Sequence, residues 1–130
     1  FKNCIEEIRR YTDKPIVIRS HPRYPEQHQF EGVTWNRPLH VQETYDDFDL
    51  DIMLANAYFT VSHSSNPGIH SIIAGVPAVV SEHSLAWDVS TSMSKWLSKP
   101  YRHQWLNRIT YTEWFADEIH IQWSRLRDYI

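Results

Sequence analysis

The stretch Phe59-Thr60-Val61-Ser62-His63-Ser64-Ser65-Asn66-Pro67-Gly68-Ile69-His70 decides the fold. Three β-formers, Phe59 to Val61, predict a buried strand. Ser64, Ser65 and Asn66 are residue types that cap helices, and Pro67 suits the first helical position, where no N–H is needed. Gly68 lets a ligand or another backbone come close. A turn of this kind offers free N–H groups and the positive end of a helix dipole. Both favour anions, phosphate above all. Capping calls for the same residue types, so a well-capped core helix without a ligand is the competing reading.

Downstream, Ile69, Ile72 and Ile73 continue the helix and Gly75 ends it. Val76-Pro77-Ala78-Val79-Val80 then predicts another strand, with Pro77 tolerable near its start. Strand, helix and strand in such short compass make a βαβ unit, whose strands should be parallel and whose crossover should be right-handed. Upstream, Pro15 opens the apolar run Ile16-Val17-Ile18, typical of a strand buried on both faces. That strand delivers Arg19-Ser20-His21-Pro22-Arg23 at its C-terminal end. Residues 22 to 37 read mostly as loop, and Leu39-His40-Val41 as a short second strand.

The flanks are helical. Cys4, Ile5, Ile8 and Tyr11 fall on one side of a surface helix. Asp46, Asp47, Asp49 and Asp51 crowd the start of a second, which carries Phe48, Ile52, Met53, Ala55 and Ala57. Acidic residues suit a helix N-terminus, and capping explains this cluster better than a metal does. Residues 81 to 100 show no clear period. Helical patterns resume from Tyr101 through Trp105, Leu106 and Ile109, and from Thr112 through Trp114, Phe115, Ile119, Trp123 and Leu126. The expected fold is α/β, a single domain over 1–130. It is a Rossmann-like parallel sheet of about four strands flanked by helices, with a helical C-terminal tail.

Composition narrows the function. With 42% hydrophobic and 22% charged residues in a chain of 130, the sequence is globular and long enough for a real core. A net charge of −3 gives no general drive toward nucleic acid or an anionic membrane. Lone Cys4 cannot form an internal disulfide, which favours a reducing, cytoplasmic setting. No signal peptide and no spanning run of about 18 apolar residues is present. The start at Phe1, without Met and inside an amphipathic pattern, suggests a piece of something longer.

In an open parallel sheet, ligands bind beyond the C-terminal ends of the strands. Three turns gather there: Arg19 to Arg23, His63 to Gly68 and Ser81 to Asp88. They supply His21, Arg19 or Arg23, His63, Ser64, Ser65, His83 and Asp88, which suit a diphosphate or a phosphate monoester. Trp87 or Leu85 can flank a base or sugar. The competing reading of each histidine is a surface or satisfied core residue. Metal and cofactor are not expected: eight His are many, yet none pairs with His or Cys at a useful helical spacing, and neither G-x-G-x-x-G nor a P-loop occurs. Ser64 or Ser65 with His63 or His21 and Asp88 can be drawn as a hydrolytic triad, but the G-x-S-x-G elbow is missing.

Ser64-Ser65-x-x-Gly68, followed by Ile72-Ile73-Ala74-Gly75-Val76-Pro77-Ala78-Val79-Val80, resembles the S-S-x-G-x-E-A-L-x-x-G-x-P-V-V run of GT-B glycosyltransferases such as the capsule-polysaccharide and Kdo transferases. Ser20-His21-Pro22 is similar to the His-Pro motif of bacterial sialyltransferases and Kdo transferases. The resemblance covers roughly residues 15 to 90 and implies the C-terminal, donor-binding half of such an enzyme. By that resemblance His21 and Pro22, with Arg23, contact the donor nucleotide, and Ser64, Ser65 and Gly68 hold its phosphate. His70, His83 and Trp87 would lie near the ribose or base, with His63 in the phosphate turn. A CMP-linked sugar is the first choice of donor and a UDP-linked sugar the second; the acceptor is unassigned. His70 stands where many of these families carry a ribose-binding Glu. The N-terminal half, which usually supplies the catalytic base, has no counterpart among these residues, so a missing domain or an oligomeric partner is implied and no catalytic residue is assigned. Two alternatives stand beside a transferase: a non-catalytic nucleotide-binding or protein-interaction domain, and an enzyme of the sugar-nucleotide epimerase type.

Overall fold

The computed structural model describes residues 2–21, 24, 28–41, 48–95, 99, 101–110, 119, 121 and 123. In chain order these give α1 (Lys2–Arg9), β1 (Val17–Arg19), β2 (Thr34–Asn36), α2 (Leu50–Ala55), β3 (Thr60–Val61), α3 (Asn66–Ala74), β4 (Ala78–Val79) and α4 (His103–Thr110). Two short 3-10 turns, Trp87–Val89 and Met93–Lys95, lie between β4 and α4. The class is mixed α/β, with strands paired in parallel.

The expected βαβ unit forms where the apolar runs put it. Thr60 pairs with Ala78 and Val61 with Val79, and α3 makes the crossover. Gly75 takes the left-handed conformation, φ 82°, that ends a helix at little cost only for glycine. Arg102 sits against Gly75 and donates from Nη1 to the Ile72 carbonyl at 3.3 Å, a second bond to a terminal acceptor that the Gly75 N–H already meets at 3.0 Å. A buried relay ties the unit together: the Thr60 hydroxyl donates to Ser71 Oγ at 2.8 Å, and the Ser71 hydroxyl donates to the Val76 carbonyl at 3.1 Å. Ser71 is fully buried, so this relay satisfies a hydroxyl that would otherwise be costly there.

Around this unit lies the main core of Ile69, Ile72, Ala78, Val80, Ala86 and Trp105. Trp105 brings α4 onto it, and the indole N–H donates to the Leu85 carbonyl at 2.8 Å. The first half of the helical tail is therefore core packing. Trp123 is helical and 62% exposed, while Trp114, Phe115 and Leu126 lie outside the described residues.

Four expectations are corrected. The partner of β1 is Thr34–Asn36, inside the stretch read as loop; His40 makes only an isolated antiparallel bridge to Phe48. β1 is not buried on both faces: Val17 is 46% exposed while Ile18 is buried, an alternation that gives a strand with one covered face. The described strands form two separate two-stranded sheets, β1–β2 and β3–β4, instead of one continuous sheet. Finally, Asp49, at the N-cap of α2, makes no side-chain cap bond. Its carboxylate instead accepts from Arg19 Nη2 at 2.6 Å and from the Leu39 N–H at 2.9 Å.

Helices α1 to α4 fall within stretches predicted to be helical, while the helix expected from Thr112 lies mostly outside the described residues. Ile8 of α1, Ile18 of β1 and Leu54 of α2 are buried, and α2 packs on α3. Arg9 ties α1 to both neighbouring turns, donating to the carbonyls of Lys14 at 2.6 Å and Gly32 at 2.9 Å. Among the described residues no helix is long and apolar enough to cross a membrane.

Candidate functional site

Parallel pairing outruns the two short strands. The Ser62 N–H donates to the Val79 carbonyl at 3.0 Å, and the Ser81 N–H donates to the His63 carbonyl at 3.0 Å. The register offset of 18 residues is thus kept past the C-terminal ends of β3 and β4. It holds the two following turns side by side, next to the N-terminus of α3.

Four side chains meet there. The Ser81 hydroxyl donates to the His63 carbonyl at 3.1 Å and accepts the His83 backbone N–H at 3.3 Å. His63 Nδ1 lies between two hydroxyls, 3.3 Å from Ser64 Oγ and 3.5 Å from Ser81 Oγ. A hydroxyl has one proton to give, and Ser81 spends it on the carbonyl, so only Ser64 can donate to that ring nitrogen. The rings of His63 and His83 stand 5.8 Å apart, tilted by 34°. All of these contacts are exposed. Glu82 Oε1 lies 3.9 Å from His83 Nε2, with both side chains about two-thirds or more exposed (74% and 68%), a geometry in which an ion pair contributes little.

Ser65 has the extended conformation of an N-cap, φ −81° and ψ 154°, but its side chain makes no cap bond. Pro67 is the second residue of α3, since the helix begins at Asn66. The Ser64 hydroxyl and two imidazoles thus stand together on exposed turns beside a helix N-terminus, with Ser81 bridging the turns. Such a set can hold an anion by hydrogen bonds and a favourable dipole. It does not assemble a hydrolytic relay: His63 meets serines, while Asp88 pairs with Arg108 at 3.7 Å on the surface. Among the described residues no group of three or more His, Cys, Asp or Glu is arranged to hold a metal ion. Cys4 is half-buried on α1, and burial pushes its thiol up, away from the reactive thiolate.

The remaining candidates fall elsewhere. Gly68 is buried, and a Cβ there would lie 2.6 Å from Ser62 Oγ and 2.9 Å from Val80 Cγ1. Its close neighbour is therefore the chain's own strand, and the residue serves helix-on-strand packing. His21 follows β1 and stacks obliquely with Tyr24 at 5.4 Å; Pro22 and Arg23 lie outside the described residues. Arg19 is committed to Asn36 Oδ1 and Asp49 Oδ1, both at 2.6 Å, so it is a structural cation. His70 is exposed on α3, and Trp87 is half-exposed in its 3-10 turn; neither shares a hydrogen bond or ring contact with the cluster among the described residues.

Ser81 is the cluster residue that sequence reasoning left unselected, although the turn containing it was singled out. The signal lay in the register. With Thr60 opposite Ala78, residue 63 must face residue 81. Comparison with protein families, with curated proteins and with solved structures finds no match for this chain.

Proposed function

We propose that the chain is the nucleotide-sugar donor-binding domain of a glycosyltransferase-like protein of the GT-B kind, with the donor's phosphate held by Ser64 and the N-terminus of α3, and with Ser81 fixing the two turns around it. In this proposal residues 1–130 form one Rossmann-like domain, and β1–β2 and β3–β4 are parts of one parallel sheet. His63 and His83 stand over the phosphate. The observation that supports the reading best is the hydrogen bond from Ser81 to His63, because it brings the two turns together beyond the strands. Ligands in parallel α/β sheets bind at that end. The Ser64 hydroxyl and helix N–H groups there would stabilise the nucleoside phosphate as it leaves the sugar. His21 would reach the nucleotide from the neighbouring strand end, and His70 and Trp87 would border its ribose or base.

A second reading is a domain that binds the nucleotide without turnover. His70 favours it, since it stands on the exposed face of α3 where the resemblance calls for a ribose-binding Glu. The test is calorimetric titration with CMP, UMP, UDP and GDP. Binding of one of them, weakened in His21→Ala, supports the donor site. Failure of all four to bind refutes both readings.

A further inference from the structure

The other end of α3 carries a separate feature. The helix has nine residues, so its C-terminus lies roughly 13 Å from the cluster at its N-terminus. There, Ala74, Gly75, Lys99, Arg102 and His103 line a cavity of about 310 Å³. That is at the lower edge of the range of about 300–1,000 Å³ common for small-molecule sites. Among the described residues, three of the five that line it carry or can carry positive charge, in a chain whose net charge is −3. Among the described residues no carboxylate lines the cavity and none pairs with Lys99, Arg102 or His103.

We propose that Lys99, Arg102 and His103 form a binding site for a phosphate group. Arg102 is the fixed member. It is half-buried, and its Nη1 is anchored on the Ile72 carbonyl; the rest of its fork of N–H donors has no partner among the described residues. Gly75 makes the arrangement possible, because a Cβ at that position would collide with Arg102 Nη1. Lys99 adds a point charge from ahead of α4, and His103 a ring N–H from its first residue. An anchored guanidinium, an ammonium and an imidazole around one concavity are the donor set that phosphate recognition uses. A purely structural explanation, cations placed to complement the negative end of a helix dipole, accounts for Arg102. It does not account for Lys99 and His103, since Arg102 alone among the three donates to a carbonyl of that helix end.

The test is an amide-resolved NMR titration of the full chain with inorganic phosphate. The expected result is saturable shifts at Gly75, Lys99, Arg102 and His103, and a loss of affinity of about tenfold or more in Lys99→Ala/His103→Ala, which spares the helix-capping Arg102. Ser64→Ala/Ser81→Ala should leave those shifts unchanged, which separates this site from the donor site. A sedimentation arm identifies the source of the phosphate. Phosphate-competable binding to phosphatidylcholine vesicles doped with phosphatidic acid assigns it to a lipid headgroup, and no sedimentation assigns it to a small molecule. Shifts confined to Ser64, Ser81 and His83, or affinity unchanged within about twofold in Lys99→Ala/His103→Ala, would overturn the proposal.

Discussion

The Ser81 hydroxyl bridges backbone and site: it donates to the His63 carbonyl at 3.1 Å while accepting the His83 N–H at 3.3 Å. One side chain therefore sets the spacing of both histidine-bearing turns. Ser81→Ala should cost only about 1 kcal/mol in urea unfolding, because the bonds are exposed. The His63 and His83 ring resonances should nevertheless shift together. Movement of one ring without the other would mean that Ser81 does not couple the turns.

Arg19 and Asp49 form the best-sheltered ion pair among the described residues, with side chains 17% and 14% exposed and N···O at 2.6 Å. The hydrogen bond from Arg19, helped by that from Leu39, holds the Asp49 carboxyl below the usual carboxylate range. A group whose folded pKa is depressed stabilises the fold above its unfolded pKa, about 3.9 for Asp. That stability is lost as pH falls through the lower folded value. Asp49→Asn keeps an acceptor for Leu39 but removes the charge. It should cost about 2–3 kcal/mol at neutral pH and flatten the acid limb of the stability curve. An unchanged acid limb would show that the pair carries no pH dependence.

Gly68→Ala should destabilise by about 1–2 kcal/mol, despite alanine's better helix propensity, because the new methyl meets Ser62 Oγ and Val80 Cγ1. Among the described residues Ser62 Oγ is buried without a hydrogen-bond partner, so Ser62→Ala removes the closer of the two contacts and an unsatisfied hydroxyl, while that with Val80 Cγ1 stays. A double-mutant cycle should show the two substitutions to be strongly non-additive, with Ser62→Ala recovering part of the loss. Simple additivity would place the strain elsewhere.

Trp105→Phe should cost about 1–3 kcal/mol by removing core contacts and the bond to the Leu85 carbonyl. The consequence for the site is loop order. Amides between Ser81 and Val89 should exchange faster with solvent in the variant, while those of α3 should change less. Equal acceleration throughout would mean that Trp105 is a general core residue with no special hold on that turn.

How far the sequence could be read depended on how local each cause was. The β3–α3–β4 unit was legible because apolar runs, a Pro and a terminating Gly all lie within one short segment. β2 was not, because Thr34-Trp35-Asn36 has no apolar run and is fixed by pairing with β1 across the loop. Arg19 looked like a ligand cation in sequence; its partner Asp49 lies 30 residues away, and no local pattern announces a contact of that range. Gly68 was read as admitting a ligand or another backbone, but the groups packed against it are the side chains of Ser62, just past β3, and Val80, just past β4. In the candidate site, His63, Ser64 and His83 were named from their turns, and Ser81 needed the register to be found.

The most direct test of the donor-phosphate site is calorimetric titration with CMP of the parent chain and of Ser64→Ala/Ser81→Ala. Neither serine is buried, so the variant should fold with a near-parental unfolding midpoint. The expected result is saturable CMP binding by the parent chain that falls by about tenfold or more in the variant, which loses the phosphate-directed Ser64 hydroxyl and the Ser81 bridge that fixes the turns. Parental affinity in the folded variant, or no heat of binding in the parent chain, would contradict the assignment.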